Sequence, residues 1–281
     1  MPAVQMDGRA LAGRIKEQVR AQVERMERRP GLAAVRVGED PASQVYTRSR
    51  RKDCALCGIY HEEYVLPQDT TQPELMDLID MLNSRADIDG ILMEFPLPEH
   101  LDSRAVQMAI RPDKDVDCIN PANMGHLMLG EEALRPCTPA AVMRLLEEYG
   151  VETAGKTCVL VGRSSIVGKP LAMLMLLGDA TVTICHTKTA MLAEECRRAD
   201  ILVTAAGEAG LITADLVKDG AVVVDIAVNR DARGALCGDT VYDQVARKAA
   251  CLTPVPGGVG PVTRAILMEN TLKAAAGHDR K

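Results

Sequence analysis

Apolar residues recur along this chain with two periods, and the periods alternate. Leu11, Ile15 and Val19 are spaced by four, Arg14 and Glu17 fall off their face, and Asp7 stands where an N-cap belongs. That spacing predicts an amphipathic first helix. Leu32 to Val37 is a short apolar run, read as a strand. Pro41 and Ser43 open a second helix that carries Tyr46 and Arg50. Tyr60 to Leu66 reads as a strand and Pro73 to Leu82 as a helix; Ile88 to Phe95 reads as a buried strand that stops at Pro96-Leu97-Pro98. Strands alternating with helices predict a mostly parallel sheet.

Pro136-Cys137-Thr138-Pro139 predicts another helix start, with Thr138 as N-cap and Pro139 in the first helical position. That helix runs to Tyr149 and leads into a second unit with the same alternation. Strand 158–161, helix 168–177, strand 181–185, helix 190–198 and strands 201–204 and 221–226 follow in Rossmann-like order. After Pro261 a last helix, to about Ala276, carries Ile266, Leu267 and Leu272. Its route through a glycine-rich loop predicts that it returns to the first unit. The expected fold class is α/β, in two units.

Length agrees, since 281 residues make one large or two ordinary domains. The chain is 47% apolar and 26% charged, as in a soluble globular protein, and 14 Met help fill a core that has one Phe and no Trp. A net charge of −6 with few stacking aromatics argues against nucleic acid as a partner. No apolar run reaches membrane-spanning length, and no basic-then-apolar leader opens the chain, so neither membrane nor secretion is expected. Nine scattered Cys read as reduced thiols of a cytoplasmic protein. Cys54 and Cys57 form a Cys-x-x-Cys without a second pair, so no metal site is expected.

Two segments concentrate the candidate chemistry. Gly162-Arg163-Ser164-Ser165-Ile166-Val167-Gly168-Lys169-Pro170 follows a buried strand and opens a helix, which offers backbone N–H groups to a phosphate. Its spacing departs from Gly-x-Gly-x-x-Gly. Arg163 is either a fork for a ribose 2′-phosphate or a plain surface charge. His186-Thr187-Lys188-Thr189 ends the next strand, where an adenosine end is read, and its polar groups favour NADP over NAD. Pro254-Val255-Pro256-Gly257-Gly258-Val259-Gly260-Pro261 can bring bare backbone against a flat ligand. Tyr46 and Arg50 share a helix face; Tyr46 either stacks on a flat ring or is an ordinary half-buried tyrosine. Asp113-Lys114-Asp115-Val116-Asp117 is either a solvated acidic loop or a carboxylate set for an amidine-like ring edge.

Taken in order along nearly the whole chain, these segments resemble the FolD family of methylenetetrahydrofolate dehydrogenase/methenyltetrahydrofolate cyclohydrolases. Val37-Gly38, Pro41-Ala42-Ser43, Tyr46, Pro96-Leu97-Pro98, Pro112, Lys114 to Asp117, Pro136 to Pro139, Val161 to Ser164, Gly168 to Pro170, Cys185-His186 and Thr253 to Pro261 all carry the likeness. It implies two α/β domains around a cleft, the second a Rossmann-like parallel-sheet nucleotide-binding domain. The boundaries expected are 1–139 plus 262–281 for the folate-binding catalytic domain and 140–261 for the NAD(P)-binding domain. The resemblance further implies a homodimer of one-carbon metabolism acting on tetrahydrofolate derivatives. NADP takes a hydride from the methylene compound, and the methenyl product is then hydrolysed. Tyr46, Arg50, Glu94 and Asp117 would be the catalytic positions. Tyr46 would stack on the folate and Asp117 would hold the pterin edge. Gly257, Gly258, Val259 and Pro261 would wall the substrate. Gly162, Arg163, Ser164, Ile166, Gly168, His186 and Thr187 would bind the nucleotide.

The departures carry their own chemistry. The family has Lys where this chain has Arg50, and Gln where it has Glu94. A lysine can lose its proton and assist attack of water, whereas an arginine stays charged. Lys52 is no substitute, because two helical residues turn it about 200° away. Arg50 and Glu94 are expected to form an ion pair, leaving hydride transfer intact and the hydrolytic step weak or absent. Cys118 replaces a family glycine, as does Ala227, and Gly238-Asp239-Thr240-Val241-Tyr242 replaces Gly-Asp-Val-Asp-Phe. Two other functions compete: an NAD(P)-dependent oxidoreductase on another small substrate, and a non-catalytic folate- or nucleotide-binding paralogue.

Overall fold

Short apolar runs make strands buried on both faces, amphipathic helices cover them, and the chain alternates the two. The computed structural model describes residues 2–38, 41–131 and 134–278, and of 41–46 the backbone alone. In chain order the elements are β1 (Val4–Gln5), α1 (Gly8–Val23), β2 (Gly31–Val37), α2 (Pro41–Cys57), β3 (Tyr60–Leu66), α3 (Gln72–Ser84) and β4 (Gly90–Met93). Then come α4 (Ser103–Ala109), α5 (Pro121–Leu129), α6 (Cys137–Glu148), β5 (Thr157–Val161), α7 (Gly168–Leu177), β6 (Thr181–Cys185) and α8 (Leu192–Arg198). The chain closes with β7 (Ile201–Thr204), β8 (Val222–Asp225), β9 (Asn229–Arg230), β10 (Leu236–Cys237), α9 (Tyr242–Val245), β11 (Cys251–Leu252) and α10 (Val259–His278).

Local chemistry starts and stops these elements where the side chains say. Asp7 accepts the Arg9 amide at 2.8 Å and caps α1, whose Leu11, Ile15 and Val19 are buried. Glu74 reaches back to the Thr71 amide at 2.8 Å, closing a capping box on α3. Asn120 caps α5 ahead of Pro121, and Gly130 ends it in the left-handed region. Two expectations shift. β4 is shorter than 88–95, because the chain turns off at Glu94 toward Pro96, which has no N–H to continue a ladder. α6 begins at Cys137, so Thr138 sits inside its first turn rather than at the cap; Pro139 is tolerated there because the first N–H groups of a helix need no helical partner.

Contacts divide the chain into two units. One comprises 13–137 with 264–281, the other 1–12 with 138–263. The first twelve residues therefore group differently from the 1–139 span expected, because β1 pairs in parallel with β11. The return of the last helix is seen in residues 264–281, which group with 13–137.

In the first unit three parallel strands lie in the order β3-β2-β4. One face carries Ala33, Val35, Ile91 and Met93, packed in one core with Leu75, Ile79 and Leu82 of α3. On the opposite face stand Ala34, Arg36, His61, Glu63 and Leu92 by the same register. The second unit is a six-stranded parallel sheet in the order β1-β11-β8-β7-β5-β6. β5 lies between β6 and β7, so the connections leave it in opposite directions, the topological switch point of a doubly wound sheet.

Asn270 of α10 closes the first unit around the acidic loop. Its side-chain amide donates to the carbonyls of Val116 and Arg135, both at 2.8 Å, and it is 1% exposed. Asn270→Ala leaves the buried Val116 carbonyl and the part-buried Arg135 carbonyl without that donor, and we expect a loss of about 2 kcal/mol. A lower urea midpoint with an unchanged slope would show it.

Candidate functional site

The resemblance assigned Arg50 and Glu94 to one place, and the fold joins them. Arg50 lies on α2 with 1% of its side chain exposed; Glu94 follows β4. Arg50 Nη1 is 2.7 Å from Glu94 Oε1. Neither atom makes an aligned hydrogen bond, so the contact is ionic rather than directional. Arg50 Nη2 is 3.8 Å from Glu63 Oε1, and Glu63 in turn takes Arg51 at 2.8 Å. Arg50 also donates from Nε to His61 Nε2 and from Nη2 to Thr47 Oγ1, both at a long 3.4 Å. Burial pushes the His61 pKa down, with Arg50 adding to the effect, which favours the neutral ring. Lys52, two residues on, is exposed. The sequence reading had Arg50 and Glu94 but missed Glu63 and His61, which alternate on β3 and enter only through its register with β2. Tyr46 belongs to α2, but its side chain lies outside the described residues.

The three aspartates of the acidic loop do three different things. Asp113 pairs with Arg111 at the surface. Asp115 is fully buried and accepts the amides of Ile119 and Asn120 and the side chain of Asn123, so it builds the turn. Asp117 is half-buried and interacts with the thiol and amide of Cys137. Desolvation pushes its pKa up to about 6, against the lowering effect of Cys137. Cys118, next in the chain, sits at φ 53°, in the left-handed region where a glycine is free of strain. The Cys-x-x-Cys thiols of Cys54 and Cys57 are buried, and burial pushes both up to about 12.

In the second unit the strand-to-helix turn is built so that two backbones touch. Gly162 has φ 135°, and a Cβ there would lie 2.6 Å from the Ala205 carbonyl oxygen. A Cβ on Gly168 would lie 2.3 Å from the carbonyl oxygen of Gly162. Ser164 Oγ accepts the amides of Val167 and Gly168 at 3.2 and 3.3 Å, so this hydroxyl holds the turn that starts α7. No acceptor among the described residues meets the N–H groups of Arg163 to Ile166, and those four side chains are exposed. Such a turn fits a dinucleotide phosphate: free amides, a helix N-terminus and room that a side chain would fill. Val161 pairs with Cys185, so His186 and Thr187 leave the sheet at the same edge as Gly162. His186 Nδ1 accepts the Lys188 amide at 3.1 Å, while Thr187 is exposed. Asp239, which the sequence reading noted without a role, accepts from Thr204, Ala206, Glu208 and Asn229 and so ties down the loop after β7.

The proline–glycine segment answers to the chain's own packing more than expected. A Cβ on Gly257 would meet the Arg9 guanidinium at 2.8 Å, and one on Gly258 would meet Thr253 at 2.7 Å. Gly260 has open space around it. Val259 and Pro261 belong to the first turn of α10 rather than to a loop, since a helix tolerates proline before its first N–H bond is due.

A doubly wound parallel sheet with this turn at its switch point, joined to a second α/β unit holding a buried ion pair and an acidic loop, defines a two-unit nucleotide-binding α/β protein. Residues 6–117 match the tetrahydrofolate dehydrogenase/cyclohydrolase catalytic domain, and residues 136–279 match the tetrahydrofolate dehydrogenase/cyclohydrolase NAD(P)-binding domain. The chain belongs to the tetrahydrofolate dehydrogenase/cyclohydrolase family. It is 50% identical over 277 residues to the bifunctional protein FolD of Ruminiclostridium cellulolyticum, covering 98% of each chain. It is likewise 50% identical over 278 residues to that of Moorella thermoacetica, covering 98% and 99%. Among solved structures, the bifunctional FolD of Campylobacter jejuni superposes with a TM-score of 0.96 at 42% identity, over 98% of this chain and 99% of that one. The Trypanosoma brucei enzyme, solved with NADP cofactor and an inhibitor, superposes with 0.96 at 39% identity over the full length of both.

Gly168→Ala tests the turn. The added methyl group pushes α7 away from Gly162, and we expect NADP+ affinity to fall at least tenfold by calorimetry, with the far-UV spectrum unchanged.

Proposed function

We propose that this protein is an NADP-dependent 5,10-methylenetetrahydrofolate dehydrogenase in which the hydrolytic step that completes the bifunctional reaction is weak or absent. The observation that carries this reading is the buried contact of Arg50 with Glu94. Asp117 is the residue that holds the pterin edge, its two oxygens accepting from the ring's paired N–H groups. Gly162 to Gly168 hold the dinucleotide phosphates, and Arg163 and Thr187 stand where a 2′-phosphate would be read. The bound NADP+ supplies the hydride acceptor. What the chain contributes to hydride transfer is position.

Hydrolysis asks for more: a group that can take a proton from water beside the methenyl carbon. Arg50 cannot give up its own proton, and Glu94 beside it is engaged as its counter-ion. Replacing only one member makes matters worse. Arg50→Lys alone places an ammonium against Glu94, which holds it protonated. Glu94→Gln alone leaves the buried guanidinium with the more distant Glu63, 3.8 Å away, as its counter-ion, and destabilises the protein. The double variant Arg50→Lys/Glu94→Gln removes both obstacles.

Absorbance in the methenyltetrahydrofolate band, followed with methylenetetrahydrofolate and NADP+, gives the test. We expect the natural protein to raise the signal and leave it standing, and the double variant to raise it and then let it decay. Catalysed decay at an ordinary rate in the natural protein would refute the reading. The same assay gives the pH dependence. Asp117 must be ionised to accept from the ring, and in the free protein its pKa is about 6. Log kcat/KM is therefore expected to fall below about pH 6. The limb in kcat should lie at lower pH, because the ligand's donors favour the charged form once bound.

The same reading makes the protein a cytoplasmic homodimer. All nine cysteines are free and seven are buried, as suits a reducing compartment. Among the described residues no helix is long and apolar enough to cross a membrane. β6 is a sheet edge with Ile184 exposed, and Leu176 and Leu177 of α7 are exposed as well.

A further inference from the structure

We propose that Arg36 is a seat for a carboxylate of the substrate's glutamyl tail, a proposal that rests on the folate reading above. Arg36 is the penultimate residue of β2. Its Nε and one amino group are enclosed, yet they meet no hydrogen-bond acceptor among the described residues. Enclosed guanidinium nitrogens without an acceptor are costly, and none of the described residues supplies one, so the side chain is open to an anionic partner. Among the described residues, the acids Glu63 and Glu94 on the same face are already engaged. Glu94 is 2.7 Å from Arg50, and Glu63 is 2.8 Å from Arg51 with Arg50 at 3.8 Å.

The register says which part of a ligand would arrive there. Val35 pairs with Met93, and the Glu94 amide donates to the Val35 carbonyl, so Arg36 and Glu94 are neighbours across β2 and β4. On the far side of β4, Asp115 bridges Ile91 in parallel, which puts the Asp117 turn one column beyond Glu94. Along the carboxyl edge of the sheet the order is therefore Asp117, Glu94, Arg36. With strands about 4.8 Å apart, Arg36 is two columns, about 10 Å, from the Asp117 column. A folate with its pterin edge on Asp117 and its one-carbon bridge by Arg50 and Glu94 extends its aminobenzoyl-glutamate toward Arg36. The glutamyl carboxylates are the anions of that ligand, and a guanidinium fork binds a carboxylate through paired charged hydrogen bonds.

The test compares tetrahydrofolate with tetrahydropteroate, which lacks the glutamate, by anaerobic calorimetry on the full-length protein. We expect the natural protein to bind tetrahydrofolate about tenfold more tightly, the worth of one charge-assisted pair. Arg36→Leu should abolish that difference by weakening tetrahydrofolate alone, and Arg36→Lys should restore part of it. Equal binding of the two ligands by the natural protein overturns the proposal even if Arg36→Leu does not fold. A tail preference that persists in folded Arg36→Leu also overturns it. If neither ligand binds and no dehydrogenase turnover is seen, the folate reading itself fails; if both bind equally with turnover intact, only the Arg36 seat fails.

Discussion

Parallel strands all point the same way, so each of the two parallel sheets of this protein has one edge where every strand hands its chain to a turn or helix. The residues with assigned chemistry collect there. Glu94 follows β4, the Asp117 turn stands beside it, Gly162 follows β5 and His186 follows β6. This edge is rich in backbone groups that no ladder satisfies, and it can present polar side chains without disturbing the apolar faces beneath. The helices are needed to cover those faces, which is why the same segments that form the core also aim the site. Asn270 shows the coupling, since one buried amide on α10 holds the carbonyl next to Asp117 in place.

Against that frame the buried charge of Arg50 is an exception that its surroundings must accommodate. A guanidinium on α2 cannot be neutralised by losing a proton, so carboxylates are drawn toward it from two different strands. Arg50 and Glu94 depart together from the lysine and glutamine of the family pattern, and as an ion pair each balances the other's charge.

Much of this was legible before any coordinates. Helix α1 follows from the four-residue spacing of Leu11, Ile15 and Val19, strands β2 and β4 from short apolar runs, and helix α2 from the Pro41 and Ser43 that open it. β1, β9, β10 and β11 have two residues each, too few to display a period, so the pairing of β1 with β11, by which contacts group the first twelve residues, was not legible. α5 was missed although Asn120-Pro121 is a helix start, because its apolar residues show no clean face. The pairing of Arg50 with Glu94 was foreseen from the joint departure of the two positions from the family pattern.

What the sequence determined alone is the alternation of the longer elements, the family and the residue types brought to each turn, since these depend on local spacing and on motifs read along the chain. What only the tertiary structure decided is which side chains share a face and which charges are already taken. Register placed His61 and Glu63 beside Arg50 and lined up Asp117, Glu94 and Arg36 along one edge. Packing showed that Gly257 and Gly258 make room for Arg9 and Thr253. Hydrogen bonding separated Asp115, which builds the turn, from Asp117, which interacts with Cys137. The physical reason is common to all of these. Burial and pairing are set by residues far apart in the chain, and no local window contains both partners.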